Sequence, residues 1–312
     1  MTTKRFLTLF IIIISIIMIS NNLAFAKGCS LSNNEIRSVI STNWLNCKID
    51  HPNLCIIDIR SSEQYIEGHI KNSINIPFEV PFSQWITMKD DLLFEVPEKE
   101  VLFKTISNYG ISKNSIIVLI ASMPNENEPP YSLAMATRAA CTLKYAGLNN
   151  ISILDGGYSK WLSEGKAITT ETYSKIPLTY KNDLDDNIFV SIDYVKEKIN
   201  KSIIIDARDK EVYLGEIIEE YANKPGHIPS AISLPAPSFW NTDGTYKNIQ
   251  TIKSSVYSTV GLDRDKEIIV YCGVGGYAST TWYVLSEMLG YKNVKIYDGS
   301  AQEWVKYYDM EM

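Results

Sequence analysis

Short apolar runs recur along the chain without strict alternation, at residues 55–57, 116–121, 203–205 and 268–272. Apolar runs of this length that do not alternate mark strands covered on both faces. Between them lie stretches with helical spacing of apolar positions, at 136–145 and 280–289. Strands alternating with helices predict a parallel sheet flanked by helices. The whole pattern occurs twice. The first copy reads Asp58-Ile59-Arg60, Glu63, Tyr65, Gly68-His69-Ile70 and Ile76-Pro77. The second reads Asp206-Ala207-Arg208, Glu211, Tyr213, Gly226-His227-Ile228 and Leu234-Pro235. Each copy continues through a buried strand, a helix closed by Gly147 or Gly290, another strand, and a turn followed by Trp161 or Trp304. A repeat of this length is a duplicated domain. The expected fold class is therefore α/β, with tandem domains over 30–168 and 187–312. The polar stretch 169–186, with Pro177 inside it, is the expected linker.

The N-terminus departs from this pattern. Lys4 and Arg5 precede an apolar stretch at 6–19, and Ala24-Phe25-Ala26 has the form of a cleavage site. The stretch is shorter than the roughly 20 residues a spanning helix needs. Residues 1–26 are thus expected to be a signal peptide, with the mature protein exported, periplasmic and free of the membrane after cleavage. Lys27 sits badly in a lipidation box built on Cys29.

Composition narrows the function. Hydrophobic residues make up 45% of the 312 positions and charged ones 21%, the profile of a globular protein. The net charge of −6 argues against a nucleic-acid partner, which calls for a basic face. The five cysteines are too few for a disulfide scaffold, although Cys29 and Cys47 are close enough in sequence to pair. Cys55 opens an apolar strand and Cys141 lies in a helical pattern, so both read as small buried hydrophobes. The three histidines are scattered and no Cys/His spacing suits a metal, so neither metal nor cofactor is expected. Asp58 with Arg60, and Asp206 with Arg208, read as structural ion pairs binding loop backbone. His69 and His227 read as turn-fixing residues.

The chemistry is expected at Cys272. It ends an apolar strand and is followed by Gly273, Val274, Gly275, Gly276, Tyr277 and Ala278, after which a helix begins. Three glycines in four residues let backbone N–H groups converge on one point, and the helix start adds partial positive charge. Such a nest stabilises a thiolate or a persulfide. Hydrogen bonds to a charged sulfur contribute about 1.5–3 kcal/mol each, so the thiol pKa is expected below the ~8.5 of free cysteine. Gly275 and Gly276 are expected to matter most to the curl. A phosphatase of the same general architecture needs an arginine six positions after the cysteine to grip phosphate; that position is Ala278.

These motifs closely resemble the rhodanese family: Asp-x-Arg with Gly-His-Ile, the Tyr-Cys-Gly-x-Gly loop, and the Asp-Gly turn before a tryptophan. The resemblance covers nearly the whole chain after the leader, as two rhodanese-like domains, and is nearest the tandem thiosulfate and 3-mercaptopyruvate sulfurtransferases and the periplasmic multi-domain rhodaneses. The stretch 241–246 adds to the likeness with the periplasmic group. The resemblance implies a ping-pong cycle. Cys272 takes sulfur from a small anionic donor, thiosulfate first and 3-mercaptopyruvate next, and passes it to a thiol or cyanide. It implies an inactive first domain, since matching 116–118 to 268–270 sets Ile120 opposite Cys272. Basic residues usual around the donor are missing: Val212 and Tyr277 stand where relatives carry arginine. Arg208, Lys224 or loop amides are left to hold an anionic donor. The alternative is an exported persulfide carrier or interaction module without turnover.

Overall fold

The computed structural model describes residues 37–124 and 128–312. The leader, its cleavage site and Cys29 lie outside the described residues. In the first half, β1 (Val39–Ile40), α1 (Thr42–Lys48), β2 (Leu54–Asp58), α2 (Ser62–Glu67) and β3 (Ser73–Asn75) precede a hairpin of β4 (Thr87–Lys89) and β5 (Leu92–Glu95). Then come α3 (Lys99–Asn108), β6 (Ile116–Ile120), α4 (Tyr131–Tyr145), β7 (Ile151–Leu154) and α5 (Gly157–Ser163). The second half has β8 (Phe189–Val190), α6 (Ile192–Lys198), β9 (Ile203–Asp206), α7 (Lys210–Tyr213), β10 (Ala231–Ser233) and α8 (Ile249–Val260). It closes with β11 (Glu267–Tyr271), α9 (Gly276–Tyr283), β12 (Asn293–Tyr297) and α10 (Ser300–Tyr307).

Each half builds one five-stranded parallel sheet. The orders are β1-β7-β6-β2-β3 and β8-β12-β11-β9-β10, so the two sheets have the same topology. The central strands are buried along most of their length, which is why their sequences run apolar without alternation. Helix α4 starts at Tyr131, a turn and more before the apolar spacing at 136 suggests. Residues 170–185 between the halves form neither helix nor strand. They lie along the first half, where the buried Tyr180 hydroxyl donates to the Ala146 carbonyl at 2.7 Å.

The two halves are joined across a shared apolar core that takes in Cys55, Ile57 and Leu119 of the first and Ile205, Val270 and Cys272 of the second. Helices α4 and α9 meet there, with the Thr137 and Thr280 hydroxyls 2.8 Å apart. Each half also reaches into the Asp-Gly turn of the other. The Val96 N–H donates to Asp298 at 2.9 Å, and the Tyr246 N–H donates to Asp155 at 2.8 Å. The stretch 241–246 is thus an interdomain clasp. Its counterpart, the β4–β5 hairpin, adds a paired contact between Leu93 and the Gln302 amide.

Candidate active site

The duplicated motifs do the same structural work in both halves. Arg60 donates through Nε and Nη2 to both oxygens of Asp58, and through Nη2 to the Gly68 carbonyl. Arg208 repeats this with Asp206 and the Gly226 carbonyl. All four side chains are buried, which such charges tolerate only when paired and fully hydrogen-bonded. His69 and His227 stack on Tyr65 and Tyr213 and bond backbone carbonyls through Nδ1. They are turn-fixing residues.

Strand β11 delivers Cys272 to the C-terminal edge of the second sheet, where parallel-sheet proteins gather their chemistry. The Tyr271 hydroxyl donates to Asp206 at 2.6 Å and accepts the Ile228 N–H at 2.9 Å, tying this strand end to the Asp-x-Arg loop. The Cys272 carbonyl accepts from Ala301 and its N–H donates to the Ser300 hydroxyl. The loop then curls through Gly275 at φ +100° into α9. That conformation aims the Gly275 N–H at the Cys272 sulfur, 3.0 Å away. The amides of Val274 and Ala278 lie where they favour charge on the same sulfur, but only the Gly275 N–H forms a hydrogen bond to it.

The electrostatic outcome differs from the expectation. Cys272 is 3% exposed, beneath the loop rather than at a mouth. Burial pushes its thiol pKa up, and the Glu219 carboxylate adds to the rise; the Ala278, Gly275 and Val274 amides pull the other way without prevailing. The role of the glycines is also divided differently. Only Gly275 has a backbone that demands glycine; a Cβ on Gly276 would meet Phe94 at an ordinary 3.6 Å. A Cβ on Gly273 would come within 2.9 Å of Glu219.

The substrate-side candidates are placed elsewhere than expected. Lys224 faces the C-terminal segment, donating to the Tyr308 carbonyl and Asp309. Arg208 stands behind the site, committed to Asp206, with only Nη1 turned to Glu219 at 3.5 Å. Tyr277 is buried beside Cys272 with its hydroxyl unpartnered, and its ring lies 5.4 Å from Tyr131 of α4. Behind the loop, Arg138 of the first half pairs with Asp298 at 2.8 Å, and its Nη1 lies 3.3 Å from where a Gly275 Cβ would be.

Two of these groups escaped the sequence reading. Eight positions separate Arg60 from Gly68, whereas eighteen separate Arg208 from Gly226, and Glu219 lies in that insertion. Arg138 is a buried charge in the middle of a helix whose only other charge, Lys144, lies in its last turn. Strand pairing also corrects the alignment of the halves. Asp58 pairs with Ile120 as Asp206 pairs with Tyr271, and Ala121 accepts from Tyr158 as Cys272 accepts from Ala301. The residue in the place of Cys272 is therefore Ala121, not Ile120. Cys55 and Cys141 are free thiols buried in the core, the former with its pKa raised to about 11 by burial. Cys47 is disulfide-bonded.

The model of the rhodanese-like domain matches residues 41–164 and again 191–307. The chain belongs to the rhodanese family. It is a tandem rhodanese, and its family is one of sulfurtransferases and sulfur carriers. It is 29% identical over 277 residues to a Mycobacterium leprae protein named "Putative thiosulfate sulfurtransferase", covering 86% of this chain and 94% of that one. It is 31% identical over 279 residues to the Thermus thermophilus sulfur carrier protein TtuD, covering 85% and 93%. Among solved structures, the anaerobic ergothioneine biosynthesis enzyme of Chlorobium limicola superposes with a TM-score of 0.72 at 22% identity, over 88% of this chain and 70% of that one. That likeness is one of fold.

Proposed function

We propose that this rhodanese transfers sulfane sulfur through a persulfide on Cys272, as a sulfurtransferase acting on small molecules. The observation that carries the reading is the strand–loop–helix junction that curls through Gly275 and aims its N–H at the Cys272 sulfur, 3.0 Å away, with the Val274 and Ala278 amides also favouring charge there. These groups stabilise negative charge on sulfur, whether on the attacking thiolate or on the persulfide. Thiosulfate is the donor to which the name of the M. leprae relative points, with 3-mercaptopyruvate next. The thiolate attacks the outer sulfur of thiosulfate, the donor S–S bond breaks, and sulfite leaves with the electron pair. A thiol or cyanide then attacks the outer sulfur of the persulfide and frees Cys272. The first domain takes no sulfur in this scheme, because Ala121 has no nucleophile, and it serves to wall the site through Tyr131.

Intact mass after incubation with each donor tests the proposal. The expected result is a gain of one sulfur atom, lost in Cys272→Ser. Loading that persists in Cys272→Ser would overturn it. A second reading, a carrier that loads once without turnover, is favoured by the raised Cys272 pKa and by the name of the T. thermophilus relative. Sustained sulfite release from thiosulfate separates the two. We further propose that the protein acts outside the cytoplasm, on the leader features of residues 1–26. N-terminal sequencing of the cell-derived protein should find a start near Lys27.

A further inference from the structure

The entrance above Cys272 carries charge of the sign opposite to that an anionic donor needs. Residues 273–278 bear no charge. Glu219 lies over the loop, close enough to Cys272 to disfavour its thiolate. Burial raises the Glu219 carboxyl pKa; Arg208 favours its charged form through Nη1 at 3.5 Å but is held more closely by Asp206, at 2.6 Å. Asp209, next to Arg208 at the start of α7, adds a second carboxylate whose charge reaches Glu219 and Tyr277. The Arg138 cation behind the loop is matched by Asp298. Two tyrosine rings complete the entrance, Tyr131 half exposed and Tyr277 7% exposed. The Tyr277 hydroxyl has no partner although it is buried, a costly state that a bound hydrogen-bonding group would relieve. Carboxylates beside aromatic faces are the chemistry that recognises an ammonium group.

We propose that Glu219, Asp209, Tyr131 and Tyr277 form a cation-selecting entrance that favours, as sulfur acceptor, a small thiol carrying an ammonium group. The step is balanced. The acceptor thiolate attacks the outer sulfur of the Cys272 persulfide, the Cys272 S–S bond breaks, and Cys272 leaves as a thiolate that takes up the proton the acceptor gave up. The transferred sulfur departs as the acceptor's persulfide. Glu219 is a specificity residue in this scheme, and it opposes the approach of thiosulfate, so that donor loads slowly. The inference rests on the Cys272 persulfide reading for its chemistry, but the field at the sulfur can be read without it.

The test therefore has two arms, each run on the wild type and Glu219→Gln. In the first, Cys272 is alkylated with iodoacetate and with iodoacetamide and the modification is quantified on its peptide. Thiol ionisation affects both reagents alike, so their rate ratio isolates reagent charge. The iodoacetate-to-iodoacetamide ratio should rise about tenfold in Glu219→Gln, or about 1.4 kcal/mol, within the range Coulomb's law gives for unit charges near a protein surface. In the second, protein loaded with inorganic polysulfide is discharged by cysteamine and by 3-mercaptopropionate. The wild-type preference for cysteamine should fall about tenfold in the variant, by the same electrostatics. Should Glu219→Gln fold poorly, 1 M salt on the wild type should shift both ratios in the same direction through screening. Unchanged ratios in the first arm overturn the charged entrance. A shift in the first arm without one in the second overturns the acceptor assignment. Failure of polysulfide to load Cys272 would sink the persulfide reading instead, leaving the first arm to judge the entrance.

Discussion

Replacing Gly275 and Gly276 separately with alanine should have opposite effects, although the two are adjacent and equally prominent in the sequence. Gly275 sits at φ +100°, where a side chain costs about 1–2 kcal/mol in backbone energy alone. Its Cβ would also lie 3.3 Å from Nη1 of Arg138. Arg138 is fully buried and ion-paired with Asp298, so it can yield only by loosening that pair, and crowding of this kind costs about 1–3 kcal/mol. The expected loss for Gly275→Ala is therefore about 2–5 kcal/mol, the sum of these two costs. At Gly276, in the first turn of α9, the added methyl meets Phe94 at 3.6 Å and no strain arises. Alanine there should be neutral or stabilising by up to about 1 kcal/mol, the helix-propensity difference from glycine. Urea unfolding followed by tryptophan fluorescence reads both, since Trp282 and Trp304 are buried in the same half. Alkylation of Cys272 gives a second readout. Gly275→Ala should change it by moving the N–H that bonds the sulfur at 3.0 Å, and Gly276→Ala should not. If Gly275→Ala proves as stable as the wild type, or Gly276→Ala the more damaging, the loop is not held as described.

Four further outcomes follow from the electrostatics. The alkylation midpoint of Cys272 should lie above the roughly 8.5 of free cysteine and drop in Glu219→Gln; because the folded pKa is the higher one, the group's contribution to stability is complete below the unfolded value and is lost as pH rises through the folded one. A wild-type midpoint below that of a free thiol, in a pH series of iodoacetamide rates, would contradict this. Glu95, whose carboxyl is pushed up to about 9 by burial and by Asp298, loses its stabilising protonated form as pH rises from the unfolded carboxylate range toward that value. Glu95→Gln should therefore raise stability at pH 8 by about 1–3 kcal/mol, the usual cost of a buried unpaired group, and flatten urea midpoints measured between pH 5 and 8. Lys224→Ala should leave sulfur transfer unchanged, whereas Arg208→Met should lower the unfolding free energy from urea titration by about 3–5 kcal/mol, because it strands the buried Asp206 charge.

Much of the architecture was legible in the residues because it rests on local signals. Strands buried on both faces run continuously apolar, so 116–121 and 268–272 announced a parallel sheet, and the repeated Asp-x-Arg and Gly-His-Ile announced its duplication. The nest at Cys272 was legible for the same reason: three glycines in four residues after a strand open the left-handed backbone that curls a loop around one point. What the residues could not show was anything that depends on which distant groups share a space. The lowered thiol pKa expected from the amides alone was outweighed by burial and by Glu219, which an insertion folds back over the loop from more than fifty positions away. Strand register, set by pairing between β6 and β2, placed Ala121 rather than Ile120 in the cysteine position. Lys224 was drawn to the C-terminal segment and Arg138 was brought up behind the loop by packing between the two halves. Sequence determines where a backbone can curl, through local sterics; only the tertiary fold decides which charges and how little water surround the sulfur there, because Coulomb and desolvation energies depend on distance in space rather than along the chain.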